Sequence, residues 1–136
     1  MDSIETLSPF QDGYVLVEYE MYTICDKNCS YCYNIDEDNP IRYTDSTKNI
    51  LANLDRIMDM DNKKIIIELI GGEVLVYKDI KLILQHLVDN KHPDTKISVF
   101  THADHDPVKF KDKLSPLLSI GDQAKVYCTL HKEDLN

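Results

Sequence analysis

The chain has 136 residues, a net charge of −9 and 43% hydrophobic residues, which suits one folded domain over residues 1–136 and excludes a disordered or low-complexity chain. So acidic a chain without a basic stripe argues against nucleic-acid partners and against an anionic membrane surface. No apolar run approaches the roughly 20 residues that span a bilayer, and the N-terminus has no basic region followed by an apolar core, so we expect a cytoplasmic protein without a membrane partner.

Strand-type runs alternate with helical patterns along the whole chain. The strands are predicted over residues 14–22, 64–70, 96–101 and 124–131. The first helix is predicted to start at a cap on Thr44 or Asp45. The second and third helices are predicted to cover residues 78–90 and 107–119. In the third helix, Asp106 before Pro107 is the expected N-cap, and Pro116 is expected to divide the helix, with Ser115 free to cap its second part.

This order of elements predicts a parallel sheet with right-handed helical crossovers. The fold class is therefore α/β, as a partial parallel (β/α) barrel of about three and a half β/α units. In such folds the chemistry gathers at the carboxyl ends of the strands. A parallel strand needs cover on both faces, so we expect further chain or a second chain to complete the barrel after the fourth strand.

Strand alternation assigns several side chains to a face. Glu18 and Glu20 share one face of the first strand, where they would meet either a polar substrate inside the barrel or solvent. Cys128 alternates with Val126 and Leu130 in the fourth strand, which predicts a buried core thiol.

A cysteine triplet, Cys25, Cys29 and Cys32, follows the first strand with C-x3-C-x2-C spacing. In a reducing compartment clustered thiols are more often metal ligands than disulfides. Three thiolates on one loop can each bind one iron of a [4Fe–4S] cluster and leave the fourth iron open, an arrangement that an electron carrier does not need. The alternative from the residues alone is a zinc-stabilised structural site, which would require a fourth ligand.

The sequence resembles the radical S-adenosylmethionine (radical SAM) enzymes over about residues 12–131. Their signature is this cysteine spacing with an aromatic residue before the last cysteine, here Tyr31. Their second motif is present after the second strand as Gly71-Gly72-Glu73, followed by Val74-Leu75 where the family often has Pro-Leu. The chain is similar to the N-terminal part of the family's core domain, and most like members that modify peptides or proteins.

The resemblance implies specific roles. Cys25, Cys29 and Cys32 would hold a [4Fe–4S] cluster whose open iron binds SAM, and Tyr31 would lie close to the adenine. The segment Gly71-Gly72-Glu73 would bind the SAM amino group. Reductive cleavage of SAM would give a 5′-deoxyadenosyl radical that abstracts hydrogen from an unidentified substrate, an oxidoreductase-like activity. A one-electron donor such as flavodoxin or ferredoxin is implied.

Two interpretations of another class stay open. The chain could be a non-catalytic module that holds a cluster or SAM and is completed by another chain, or a zinc-stabilised domain.

The segment Thr101-His102-Ala103 departs from the family's Thr-Asn-Gly. The run from His102 to Asp106 is rich in metal-ligand types, but we favour a solvated loop that ends in a helix cap. If that loop faces the site, His102 is a candidate substrate contact.

Overall fold

The computed structural model describes residues 13–21, 45–102 and 106–128. The strands are β1 (Val15–Glu20), β2 (Ile65–Ile70), β3 (Lys96–Thr101) and β4 (Ala124–Cys128). The helices are α1 (Thr47–Met58), α2 (Ile80–Asn90) and α3 (Pro107–Leu114). Short 3₁₀ segments cover Val74–Val76 and Ser115–Gln123. The interpretation of residues 1–136 as one domain stays a prediction.

The described strands form one parallel sheet in the order β1-β2-β3-β4. Each strand lies beside the next one in sequence, and a helix connects each pair. Because such crossovers are right-handed, α1, α2 and α3 all lie on the same face of the sheet, here called the helix face. The predicted α/β fold with a partial barrel arrangement is thus confirmed.

The core lies between the helix face and the three helices. Ile67 and Leu69 of β2 and Val99 of β3 are fully buried there. Apolar positions spaced three or four residues apart on α1 and α2 pack against them, and the buried ones are Ile50, Leu54, Ile80, Ile83, Leu84 and Leu87. Burying each of these aliphatic side chains contributes about 1.5–3 kcal/mol. β2 is a nearly continuous apolar run because both of its faces are largely buried.

α1 and α3 each start at a side-chain cap, and one of these two caps differs from the prediction. α1 is capped by Ser46, whose hydroxyl accepts from the Asn49 backbone N–H at 3.1 Å, so the predicted cap at Thr44 or Asp45 is wrong. Asp45 instead accepts from the Ser46 backbone N–H at 3.1 Å. The predicted cap Asp106 is confirmed, because its carboxylate accepts from two backbone N–H groups in the first turn of α3.

The chain after α3 winds in 3₁₀ geometry rather than as a second capped helix. Ser115 does not cap it, because its hydroxyl donates back to the Asp112 carbonyl at 2.8 Å. Pro116 stands at the start of this segment and removes one helical donor, as expected. Gly121 lies at φ 56°, a backbone conformation that favours glycine, and there the segment bends towards β4.

Cys128 is exposed at the end of β4, so the prediction of a buried core thiol is wrong. β4 lies at one edge of the described sheet, and even Val126 on the same face is 37% exposed. Alternation along the strand therefore predicted correctly that Cys128 shares a face with Val126, but it predicted the burial of the thiol incorrectly. No helix within the described ranges is long and apolar enough to cross a membrane.

Candidate functional site

The chain segments that lead into the two sequence motifs leave the sheet at the same edge. Glu20 at the end of β1 is paired with Ile70 at the end of β2. The Met21 backbone N–H donates to the Ile70 carbonyl at 3.2 Å, which extends the pairing one residue beyond β1. Gly71 follows Ile70 directly, and the first cysteine comes four residues after Met21. The segments that carry both motifs therefore start side by side, as the order of elements predicted.

Four of the predicted site residues lie outside the described residues: Cys25, Cys29, Tyr31 and Cys32. Their roles as cluster ligands and as the residue beside the adenine stay predictions.

The glycine pair lies at the carboxyl edge of the sheet. Gly71 and Gly72 are half-buried, and they lead from the last residue of β2 into the short 3₁₀ turn Val74–Val76. Without side chains, they allow a small ligand to approach the backbone closely. This is what the predicted contact with the methionine end of SAM requires.

Glu73 points into the protein. Its side chain has 0% exposure. Carboxylate Oε2 accepts from the Leu75 backbone N–H at 2.8 Å, which caps the 3₁₀ turn. The Thr101 hydroxyl lies 2.9 Å from Oε1 and 2.8 Å from Oε2. The His102 backbone N–H donates to Oε1 at 2.8 Å.

These bonds explain how a charged group is buried here. An isolated carboxylate in an apolar interior costs several kcal/mol, whereas one that accepts several hydrogen bonds is tolerated. The donors come from two places, the turn that follows Glu73 and the end of β3. The carboxylate therefore joins the loop after β2 to the neighbouring strand.

His102 also packs against this carboxylate. Its ring Nε2 lies 3.4 Å from Glu73 Oε1, and its side chain is 4% exposed. The ring is therefore buried beside this carboxylate, and His102 acts in this structure as a partner of Glu73. The same position, just after Thr101, is where the sequence departs from the family pattern.

The face of the sheet opposite the helices carries a polar row, which we call the opposite face. The register aligns Glu18, Glu68, Ser98 and Lys125 across the strands. Glu18 and Glu20 are exposed on this face. Glu68 is only 7% exposed, and the Ser98 hydroxyl donates to its Oε2 at 3.5 Å. Because helices surround a (β/α) barrel, the opposite face corresponds to its interior.

Burial raises the pKa of Glu68, the negative charge of Glu18 raises it further, and the hydrogen bond from Ser98 lowers it in part. The sequence interpretation missed Glu68. The signal was available, because it is the one charged residue in the run Ile65–Ile70.

The metal alternative at the end of β3 gains no support from the described part. Among residues 13–21, 45–102 and 106–128, no group of three His, Cys, Asp or Glu side chains could hold a metal ion. Asp106 uses its carboxylate on the backbone N–H groups of Val108 and Lys109. Residues 103–105 lie outside the described ranges, so the hypothesis is not tested there.

The residue types fit the cofactors that the motifs imply. Three cysteine thiols within eight residues match the donor set of a [4Fe–4S] cluster with one iron left open. The half-buried glycine pair at the carboxyl edge of the sheet lets a small zwitterionic ligand approach the backbone.

Comparison with known proteins gives one result. No curated protein and no solved structure matches the chain significantly. The model of one family, the Radical SAM superfamily, matches residues 19–131. This match runs from β1 past β4 and includes both motifs. The chain therefore belongs to the radical SAM superfamily.

Proposed function

We propose that the chain is a radical SAM enzyme, which cleaves SAM reductively and abstracts a hydrogen atom from a substrate. The observation that carries the proposal is the common origin of the two motif segments. They leave β1 and β2 side by side at the carboxyl edge of the sheet, joined by the hydrogen bond from Met21 to Ile70. Family membership indicates an enzyme, and this geometry supports a shared cofactor site.

Each motif has a separate task in this proposal. Cys25, Cys29 and Cys32 would hold the [4Fe–4S] cluster, and Tyr31 would lie beside the adenine. The segment Gly71-Gly72-Glu73 would bind the methionine end of SAM, with the glycine backbone facing the ligand. When bound, the cluster supplies the electron that cleaves SAM into methionine and a 5′-deoxyadenosyl radical. The protein orients SAM and excludes water.

The partners follow from this chemistry. The cluster needs a one-electron donor, for which flavodoxin or ferredoxin is the proposed class, and clustered thiols suit the reducing cytoplasm. We place the substrate on the opposite face, near the polar row that includes Glu68, because that face is the interior of a (β/α) barrel. A peptide or protein substrate is the proposed class.

The test is the formation of 5′-deoxyadenosine and methionine. The chain would be reconstituted anaerobically with iron and sulfide, reduced with dithionite and given SAM. We expect both products in equal amounts from the wild type, and none from Cys29→Ala. Cys128→Ala is the matched control, because that exposed thiol at the end of β4 belongs to neither motif, and it should retain the wild-type yield.

Two results would contradict the proposal. One is a cluster-loaded wild type that forms no 5′-deoxyadenosine. The other is an equal yield from Cys29→Ala.

A non-catalytic binding module is the second candidate. The observation that favours it is the apolar surface beside β4, where Leu118 is 82% and Val126 is 37% exposed. A second chain could pack there and complete the sheet. The same experiment distinguishes the two, because a module of this kind would bind SAM without forming 5′-deoxyadenosine. Metal analysis would detect the zinc-stabilised alternative.

A further inference from the structure

We propose that Glu73 is a positioning residue, which fastens the loop after β2 to the end of β3 through Thr101 and His102 and does not itself contact SAM. This inference rests on the proposed function, because it concerns how the same segment binds the cofactor. It assigns a role to Thr101 and His102 and changes the expected role of the carboxylate from ligand contact to support.

The burial of Glu73 is the first argument. Its side chain has 0% exposure, so a ligand at the edge of the sheet could reach the carboxylate only if the surrounding structure opened. In the same segment Gly71 and Gly72 are half-buried, so we assign the ligand contact to their backbone rather than to the Glu73 carboxylate.

The use of the two carboxylate oxygens is the second argument. Oε2 accepts from the Leu75 backbone N–H at 2.8 Å, and Oε1 accepts from the His102 backbone N–H at 2.8 Å. The Thr101 hydroxyl lies within 2.9 Å of both oxygens. Hydrogen bonds to an ionised acceptor are strong, and removing a buried partner leaves the other group unsatisfied. An ammonium group would have to enter a fully buried site and share oxygens that already accept these hydrogen bonds.

The position of the bonds is the third argument. Two successive glycines are conformationally free, so the segment between Ile70 and Glu73 has a high entropy when nothing holds it. The parallel pairing of β2 fixes one end of this segment, and the bonds of Glu73 to β3 fix the other. Holding a binding segment in one conformation before the ligand arrives lowers the cost of binding.

The test compares two ligands and four variants in the cluster-loaded protein. The ligands are SAM and its analogue without the α-amino group, and the readout is the dissociation constant from equilibrium dialysis. The variants are Glu73→Gln, Thr101→Val, the conservative Thr101→Ser and the control Thr95→Val. Thr95 is a matched control because its hydroxyl is also buried. It donates at 2.8 Å to the Lys63 carbonyl, just before β2 and β3 begin, at the opposite edge of the sheet.

We expect Thr101→Val to weaken binding about tenfold, as for the loss of one hydrogen bond to a buried charge. The factor should be the same for SAM and for the analogue, because the carboxylate does not touch the amino group. Thr101→Ser should restore affinity, Thr95→Val should retain it, and Glu73→Gln should weaken both ligands alike. If Glu73→Gln weakens SAM but not the analogue, or if Thr101→Val leaves the affinity unchanged, the positioning role is wrong.

Amide hydrogen exchange without SAM separates this inference from the proposed function. The backbone N–H groups of Leu75 and His102 donate to Glu73, so both should exchange faster in Glu73→Gln than in the wild type, and equally fast in Thr95→Val and the wild type. Unchanged exchange in Glu73→Gln would overturn the proposed fastening. A wild type in which the Leu75 and His102 N–H groups exchange slowly, but which binds no SAM, would contradict the proposed function. The positioning of SAM by Glu73 would then be wrong as well, although the hydrogen bonds of Glu73 to these two N–H groups would be confirmed.

Discussion

The two faces of the sheet differ in composition: the helix face is apolar, and the opposite face carries a polar row. On the helix face, Ile67 and Val99 are fully buried in the apolar core under α1, α2 and α3. On the opposite face the central row is polar, with Glu18 exposed and Glu68 buried at paired positions. A buried carboxylate destabilises a fold unless it is well paired, so its presence points to function rather than to stability. The helix face accounts for folding, whereas the opposite face and the carboxyl edge carry the groups that can react or bind.

The largest expected effect contrasts two apolar residues on different faces. Ile67→Ala on the helix face should lower the free energy of unfolding by about 2–5 kcal/mol, since it leaves a cavity in the core. Phe100→Ala on the opposite face should cost less although the ring is larger, because Phe100 is 39% exposed and stacks mainly on Tyr127, with the ring centroids 4.8 Å apart. Urea unfolding of both variants measures the difference. Equal losses would mean that both faces contribute equally to the core.

A middle-sized effect is expected at the helix that covers the β4 side. Asp106→Ala removes the side chain that accepts from the Val108 and Lys109 backbone N–H groups. The free energy of unfolding should fall by about 1 kcal/mol, as for other N-cap losses. Asp106→Asn should retain most of the wild-type free energy of unfolding, because an amide oxygen can accept the same hydrogen bonds. If the two variants lose the same amount, the cap contributes nothing beyond its charge.

The smallest effect is a pH dependence on the opposite face. The pKa of Glu68 is raised in the folded state above its ordinary value of 4.5, so the folded protein binds the proton more tightly than the unfolded chain. Stability should therefore fall as pH rises from about 4.5 through the raised pKa, and stay lowered above it. Glu68→Gln should be more stable than the wild type at neutral pH and lose this advantage in acid.

The control for this prediction is Glu20→Gln on the same face, where the carboxylate is exposed. Glu20→Gln should not gain the stability at neutral pH that Glu68→Gln gains, because the Glu20 carboxylate already lies in solvent. A difference between Glu68→Gln and the wild type that is independent of pH would mean that the buried carboxylate does not titrate as described.

Most of the fold could be predicted from the sequence because it follows from local periodicity. The apolar runs gave strands close to those observed, and the alternation with helices gave the parallel order. The neighbouring ends of β1 and β2, which lead into the two motif segments, also followed from that order. Asp106 before Pro107 was a sufficient signal for its helix start, whereas Ser46 competed with two equally suitable neighbours and was missed.

The details of the site could not be predicted because they depend on contacts between distant residues. Nothing near Glu73 in the sequence indicates that its carboxylate binds Thr101 and His102, which come 28 and 29 residues later. The exposure of Cys128 depends on what packs beside β4, and alternation along the strand carries no information about that.

The central claim is that the cysteine segment and the glycine segment form one cofactor site. The most direct test is EPR spectroscopy of the reconstituted, dithionite-reduced chain with and without SAM. The account predicts a [4Fe–4S]⁺ signal that changes when SAM is added, because SAM reaches the open iron. A signal that is indifferent to SAM, or a protein that binds zinc and no cluster, would contradict it.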